Sequence, residues 1–372
     1  MIFLPAMLRK PEEIFFKKEL LIMKKLKFLT LILVILLIAG NSFAADNKYI
    51  DLHLHLDGAI TVDIAKKLAD LQGIKLPADN DSELEKLLFV PDDCQSLNDF
   101  LKCFDLPLSL MQTPKGLRES VRLVLDNIKS HGVIYAEIRF APQLHTSKGM
   151  TQEDAIKAAL EGLRESSLKA NLILCLMRRD NNDSENFETV ELAKKYLVKD
   201  GGVVALDLAG AEAIFPTKNY AKFFELAKKY NIPFTIHAGE ADGAQSVRDA
   251  INFGAVRIGH GIRSQESPDV VALIKEKGIF LEISPTSSRL THAVENMKDY
   301  PFMRFLREGL RVTLNTDDMG IENRTLPGEY EYMRKNFGLT PEDERIILNN
   351  AIDGAFTTEE VKKFLRDTIN LH

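Results

Sequence analysis

The chain has 372 residues, 45% hydrophobic and 27% charged, with a formal net charge of −6. This composition suits a folded globular protein and excludes low-complexity and short-repeat architectures. The acidic balance excludes a nucleic-acid binder, which needs a basic face, and suits a neutral or cationic small molecule as partner.

The first element is not part of a fold. From Met23 the chain reads MKKLKFLTLILVILLIAGNSFAADN. Lys24, Lys25 and Lys27 form a basic head, 28–39 an apolar core, and Ser42-Phe43-Ala44 a small-x-small cleavage site. Residues 1–44 are therefore expected to be an N-terminal extension and signal peptide, with the mature chain starting at Ala45. An uncleaved anchor is the alternative, but the apolar run falls short of the roughly 20 residues that a span needs. Residues 1–22 fit no such head and read as an upstream, misassigned start or a disordered extension. No cysteine follows the apolar core, which excludes a lipoprotein anchor there. The expectation is export to the periplasm or beyond, with no stable membrane insertion. Residues 1–44 carry seven Lys/Arg and three Glu, so their loss takes the formal charge from −6 to −10.

Residues 45–372 read as one domain. Apolar runs ending in polar or turn residues predict strands at 49–54, 133–141, 172–178, 203–208, 233–237, 256–259, 279–283 and 311–315. Apolar spacings of three and four predict helices at 153–170, 184–199, 219–230, 244–253, 268–277 and 296–308. Eight alternations of strand and helix predict a (β/α)8 TIM barrel. A doubly wound open sheet is the alternative. It gathers ligands at one switch point, whereas here polar motifs end strands 1, 5, 6, 7 and 8, which only closure brings together. The connection 61–130 is a helical insertion after strand 1, with segments at 63–72, 81–88, 97–110 and 115–130, and reads as a lid over the barrel mouth.

Four of the eight histidines end strands. In YIDLHLHLDGA, His53 and His55 are two apart, so both side chains face the barrel interior. His237 in TIHAGE supplies a third imidazole, and one carboxylate of Asp317-Asp318 in VTLNTDD a fourth ligand, its neighbour facing elsewhere. Imidazoles plus a carboxylate, with a position left for water, suit Zn²⁺. Glu240, three residues after His237, is placed for proton transfer, the competing reading being a helix cap. His260 in RIGHG, flanked by glycines, is a candidate to orient or deprotonate a water. His131, His145, His292 and His372 read as ordinary. Cys94, Cys103 and Cys175 lie in no CxxC pair. Export would permit a Cys94–Cys103 bridge, and Cys175 reads as a strand core residue.

HLHLDGA, SLNDFLKCFD, GVIYAEIRFAP, DLAGAE, HAGE, RIGHG, SPTSS and LNTDD occur in the order of the adenosine deaminase family, which the chain resembles from Tyr49 to its end. The resemblance implies one Zn²⁺ on His53, His55, His237 and Asp317. It implies Glu240 as proton donor to purine N1, His260 as water base or electrostatic clamp, and Asp318 on N7. It also implies Gly210 on N3, Asp57 on the ribose 5′-hydroxyl, and His55 beside the substrate as well as the metal. The reaction implied is hydrolytic deamination of adenosine or 2′-deoxyadenosine to inosine or 2′-deoxyinosine and ammonia. The other zinc deaminase architecture needs P-C-x-x-C, which is lacking, and VVALDLAG has no lysine to bridge two metals. Ala211 stands where the family usually has Asp, and Ser288 where many bacterial members have Asn. The alternatives are a deaminase of adenine or of a modified adenosine, and an exported purine- or metal-binding protein with a dead site. Asp57 favours a nucleoside, and Glu240, His260 and Asp318 favour an enzyme.

Overall fold

The computed structural model describes residues 48–370, except 92–93, 95–99 and 101. The expected signal peptide and cleavage site, and part of SLNDFLKCFD, lie outside the described residues.

Eight strands run in chain order: β1 (Tyr49–His55), β2 (Val133–Phe140), β3 (Lys169–Arg178), β4 (Val203–Gly210), β5 (Thr235–Ala238), β6 (Arg257–His260), β7 (Phe280–Ile283) and β8 (Arg311–Leu314). They pair in parallel as β1-β2-β3-β4 and β5-β6-β7-β8. Parallel bridges close both seams, Leu206 with Phe234 between β4 and β5, and Leu54 with Asp317 between β8 and β1. The result is the expected barrel. At the second seam His55 N–H donates to the Asp317 carbonyl and Asp317 N–H to the His53 carbonyl, each at 2.8 Å. The first two residues of NTDD bolt the same seam. Asn315 Oδ1 accepts from Leu52 N–H at 3.0 Å, and the Thr316 hydroxyl donates to Asp51.

The insertion after β1 forms α1 (Val62–Gln72), α2 (Asp81–Leu88), α3 (Asp105–Leu110) and α4 (Pro114–Ser130). Thr61 caps α1 and Thr113 caps α4, which starts on Pro114, where a missing N–H costs nothing. In the helix expected at 97–110, the described residues Phe100 and Lys102 are helical, Cys103 and Phe104 form a turn, and α3 follows. The outer helices that follow are α5 (Gln152–Glu165), α6 (Asp183–Tyr196), α7 (Ala221–Lys229), α8 (Ala244–Phe253) and α9 (Pro268–Lys277). The expected helix 153–170 overran: Ser166 is extended, and Ala170, though at helical spacing, already pairs with Ala136 across β3 and β2. The expected helix 296–308 is a short 3-10 turn and then α11 (Phe302–Arg307), preceded by α10 (Pro285–Leu290). After β8 come α12 (Leu326–Phe337), α13 (Pro341–Gly354) and α14 (Glu359–Asn370), which the pattern reading left unassigned. No helix among the described residues is long and apolar enough to cross a membrane.

The outer apolar face of the strands packs on these helices, as Ile50 and Leu52 do on Ala351 and Ile352 of α13. The lumen is ionic instead. Arg139 (β2) donates to Asp207 (β4) and Glu282 (β7), each at 2.8 Å. Arg257 (β6) donates to Glu282 and to Glu137 (β2), and all five side chains are fully buried. Cys94 and Cys103 sit in a small buried cluster with Val90 and Ile321 under the insertion and are not disulfide-bonded.

Candidate active site

The C-terminal ends of β1, β5 and β8 bring His53, His55, His237 and Asp317 together. One ligand atom from each lies within 4.8 Å of all the others. His53 Nε2 is 3.1 Å and His55 Nε2 3.4 Å from Asp317 Oδ1, and the His55 and His237 Nε2 atoms are 3.1 Å apart. Three imidazole nitrogens and a carboxylate oxygen facing one point are the donor set of a zinc site. Residues behind them fit the same reading. His53 Nδ1 is 2.8 Å from Glu282 and His237 Nδ1 is 2.9 Å from Asp207, which fixes each Nε2 as the free donor atom. Burial alone would raise the Asp207 carboxyl, but His237 and Arg139 beside it drive it well below its usual range. Glu282 is likewise driven down, against its burial, by Arg139 and Arg257. Burial pushes the His237 ring down to about 4, leaving it neutral and able to ligate. In the lumen the carboxylates Glu137, Asp207, Glu282 and Asp317 outnumber the guanidinium groups of Arg139 and Arg257, a balance that favours a cation.

Asp317 and His260 both adopt left-handed backbone, at φ +62° and +61°. Such strain is uncommon for residues other than glycine and clusters where a site over-determines geometry. The flanking glycines serve as expected. A Cβ on Gly259 would lie 3.0 Å from the His53 ring and 3.2 Å from His237 Cα, and Gly261 turns the chain at φ +68°. His260 Nε2 lies 3.5 Å from Glu240 Oε2 and 3.7 Å from Asp317 Oδ2. Glu240 Oε1 accepts from the Thr291 hydroxyl at 3.1 Å. Burial raises the Glu240 carboxyl, and the nearby Asp317 and Glu212 charges add to that while His260 opposes it.

A cavity of about 570 Å³ opens over this cluster. His55, Gly210, His237, Glu240, His260 and the Asp317-Asp318 pair all face it, with Phe100 and Phe104 from the insertion at its mouth. Gly210, at φ +103°, lies at the edge of β4. Of the residues singled out from the sequence, His53 lies fully buried beneath the cavity, and Asp57, only 7% exposed in the turn after β1, is not among its lining. Burial raises the Asp57 carboxyl to about 6. Asp318 Oδ1 is buried and meets no partner among the described residues, and burial with the Asp317 charge raises its carboxyl well above the usual range. Two histidines read as ordinary separate here. His145 is buried away from the cavity, with Nδ1 3.1 Å from the Met111 carbonyl, whereas His292 lines it, with Nε2 2.7 Å from the Cys94 carbonyl. Pattern reading also passed over Arg139, Asp207, Arg257, Glu282, Glu212 and Thr291. Asp207, Arg257 and Glu282 are each a single charge in a largely apolar strand, and Arg139 shares its strand with Glu137, a pattern that marks them as unusual without naming their partners.

A family model described as adenosine deaminase matches residues 49–371. An adenosine deaminase of Haemophilus ducreyi is 47% identical over 322 residues, covering 85% of this chain and 94% of that protein. Among solved structures, an adenine deaminase of Arthrobacter aurescens matches with a TM-score of 0.78 and 26% identity, covering 87% of this chain and 98% of its own. An Arabidopsis N6-mAMP deaminase matches with a TM-score of 0.77 and 26% identity, over 89% and 100% of the two chains. Fold and site together define a barrel metallohydrolase. The chain belongs to the adenosine deaminase family, and its four-residue cluster is a zinc site.

Proposed function

We propose that the chain hydrolytically deaminates adenosine and 2′-deoxyadenosine, releasing ammonia and the corresponding 6-oxopurine nucleoside. The observation that carries this reading is Glu240. Its carboxyl is held up by burial inside the cavity, with Oε2 3.5 Å from His260, which itself lies 3.7 Å from the ligand Asp317. An acid and a base therefore flank the metal cluster on the side open to a ligand. Adenine C6 is a poor electrophile, and a purely binding protein needs no such pair. Zinc, when bound, supplies a water whose pKa is lowered to about 7 as nucleophile. His260 would accept a proton from the attacking water and stabilise the charge that develops at C6. Glu240 delivers its proton to ring N1, so the ring does not accumulate negative charge. Asp318, protonated in its buried site, donates to N7, and Gly210 presents backbone to N3. His55 meets the substrate as well as the metal, and Asp57, buried outside the cavity lining, would receive the ribose 5′-hydroxyl only by turning toward the cavity. The C6–N bond then breaks, the amino group leaves as ammonia with the proton of the added hydroxyl, and a C6 carbonyl is formed.

The test is loss of absorbance near the adenosine maximum with the zinc-loaded chain, across adenosine, 2′-deoxyadenosine, adenine and 5′-methylthioadenosine. Adenosine and 2′-deoxyadenosine should be turned over fastest. Preference for adenine would move the assignment to the free base, and no turnover of any of the four would make the chain a binder. Export is a separate proposal that rests on the basic head, apolar core and small-x-small motif before Ala45. The secreted form should begin at or near Ala45 on N-terminal sequencing, and intact Met23 in a membrane fraction would overturn it.

A further inference from the structure

Glu212 stands two residues beyond Gly210 at the end of β4 and is 3% exposed. Its Oε1 accepts the Gly239 N–H at 2.7 Å and the Ser246 hydroxyl. Its Oε2 accepts the N–H groups of Glu240, Ala241 and Asp242 at 3.0, 2.8 and 3.0 Å. Four successive amides and one hydroxyl thus converge on one carboxylate, which saturates its lone pairs. No lysine or arginine among the described residues lies within ion-pair distance of it, so the backbone dipoles hold this buried charge at close range, with Arg178 acting on it from farther off. Successive amides pointing to one side form a nest that binds an anion, and here the anion is a side chain of the same molecule. The turn that aims them is made at Gly239, with φ +72°, where a Cβ would lie 2.5 Å from Val247 Cγ2.

The residue that begins this loop is pinned as well. Arg178, at the end of β3, donates to the His237 carbonyl at 2.6 Å. Glu240 is therefore gripped through its main chain by Glu212, next to a metal ligand gripped by Arg178, while Thr291 holds one of its side-chain oxygens. We infer that Glu212 is the positioning residue of the proton donor: its carboxylate gathers amides 239–242 and so aims the Glu240 side chain into the cavity. The inference rests on the proposed role of Glu240. Its charge has a second effect, since it adds to what keeps the Glu240 carboxyl protonated.

The test compares Glu212→Gln with wild type as zinc-loaded enzymes acting on adenosine. The variant keeps its shape but loses the charge and sets an NH₂ group against amide donors. The expected result is a kcat lower by roughly ten- to a hundredfold, the weight of a small misplacement, with zinc content and KM near wild type. The alkaline limb of kcat/KM should move to lower pH, because activity there needs a protonated Glu240 and a negative neighbour has gone. In a Glu240→Gln background, Glu212→Gln should cost little more. An unchanged kcat, zinc lost in step with activity, or the same fold-loss repeated in the Glu240→Gln background would overturn the inference. Should Glu212→Gln fail to fold, Glu212→Asp keeps the charge and withdraws the oxygens. It should then lower kcat with the alkaline limb in place and zinc retained, and full activity would be the overturning result. The wild-type rate on adenosine tests the function itself, whereas the ratio of variant to wild type tests the positioning, so the two fail separately.

Discussion

Gly58 explains more about the site than its neighbour Asp57 does. Asp57-Gly58 forms the centre of a turn in which Ala59 N–H donates to the Leu56 carbonyl at 3.3 Å, but Gly58 does not take left-handed backbone there. What it needs is the absence of a side chain, because a Cβ there would sit 1.8 Å from Asp318 Oδ1. The glycine is the floor on which Asp318 rests, and a contact between residues 260 positions apart leaves no mark on local sequence. Gly58→Ala should fold and keep its zinc, because the ligands are untouched, but push Asp318 out of the cavity wall. Its kcat/KM on adenosine should fall by about tenfold or more, the cost of a displaced recognition group. A rate equal to wild type would show that Asp318 does not meet the substrate. His145 offers a second measurement. Burial holds its ring down to about 4, partly offset by its Nδ1–H bond to the Met111 carbonyl, against about 6.5 in an unfolded chain. The folded value is the lower one, so the unfolded chain binds the extra proton between these limits. Stability is lost as pH falls from about 6.5 toward 4, by up to about 3 kcal/mol. Denaturant titrations of His145→Gln and wild type over that window should give the variant the flatter slope. Parallel slopes would assign acid sensitivity to other groups.

At the scale of elements, the strands were legible because each apolar run ends in polar residues, and because parallel barrel strands are covered on both faces. The ligands were legible because alternation puts His53 and His55 on one side of β1. The lumen charges were not, since a lone Glu282 in FLEIS or Asp207 in ALDLAG means nothing until a partner on another strand is known. His53 and Glu282 are 229 residues apart in sequence. Glu212 was hidden for a different reason, its partners being main-chain amides that carry no residue signature. The helix ends at 166 and 301 were missed where apolar spacing ran on through an extended segment. The second layer of the site makes its own prediction. Glu282→Gln keeps the shape of β7 but removes the charge that His53 Nδ1 and two arginines face. Competition with a chelator should show zinc affinity lower by about ten- to a hundredfold, the usual weight of such a partner. Unaltered affinity would mean that Glu282 serves the arginines alone.

For the whole molecule, the two four-stranded sheets matter more than the barrel they compose. Within each, neighbouring strands pair over several residues, but between β8 and β1 the join is a single bridge with the bonds of Asn315 and Thr316 to Leu52 and Asp51. The zinc ligands straddle that join. His53 and His55 come from the first sheet, and His237 and Asp317 from the second or its edge. A cation on these four residues is therefore a clasp between two half-barrels as well as a source of nucleophile. The amides that report on it are those of His55 and Asp317, which cross the seam. In deuterated buffer these two should be among the slowest to exchange in the zinc-loaded protein, and should quicken far more than amides inside the β2–β3 ladder once the metal is removed. Equal acceleration everywhere would mean that the metal stabilises the fold without fastening this edge. With such a clasp, the rate at which zinc escapes is set by how often the barrel opens along that line, and chemistry and breathing share one seam.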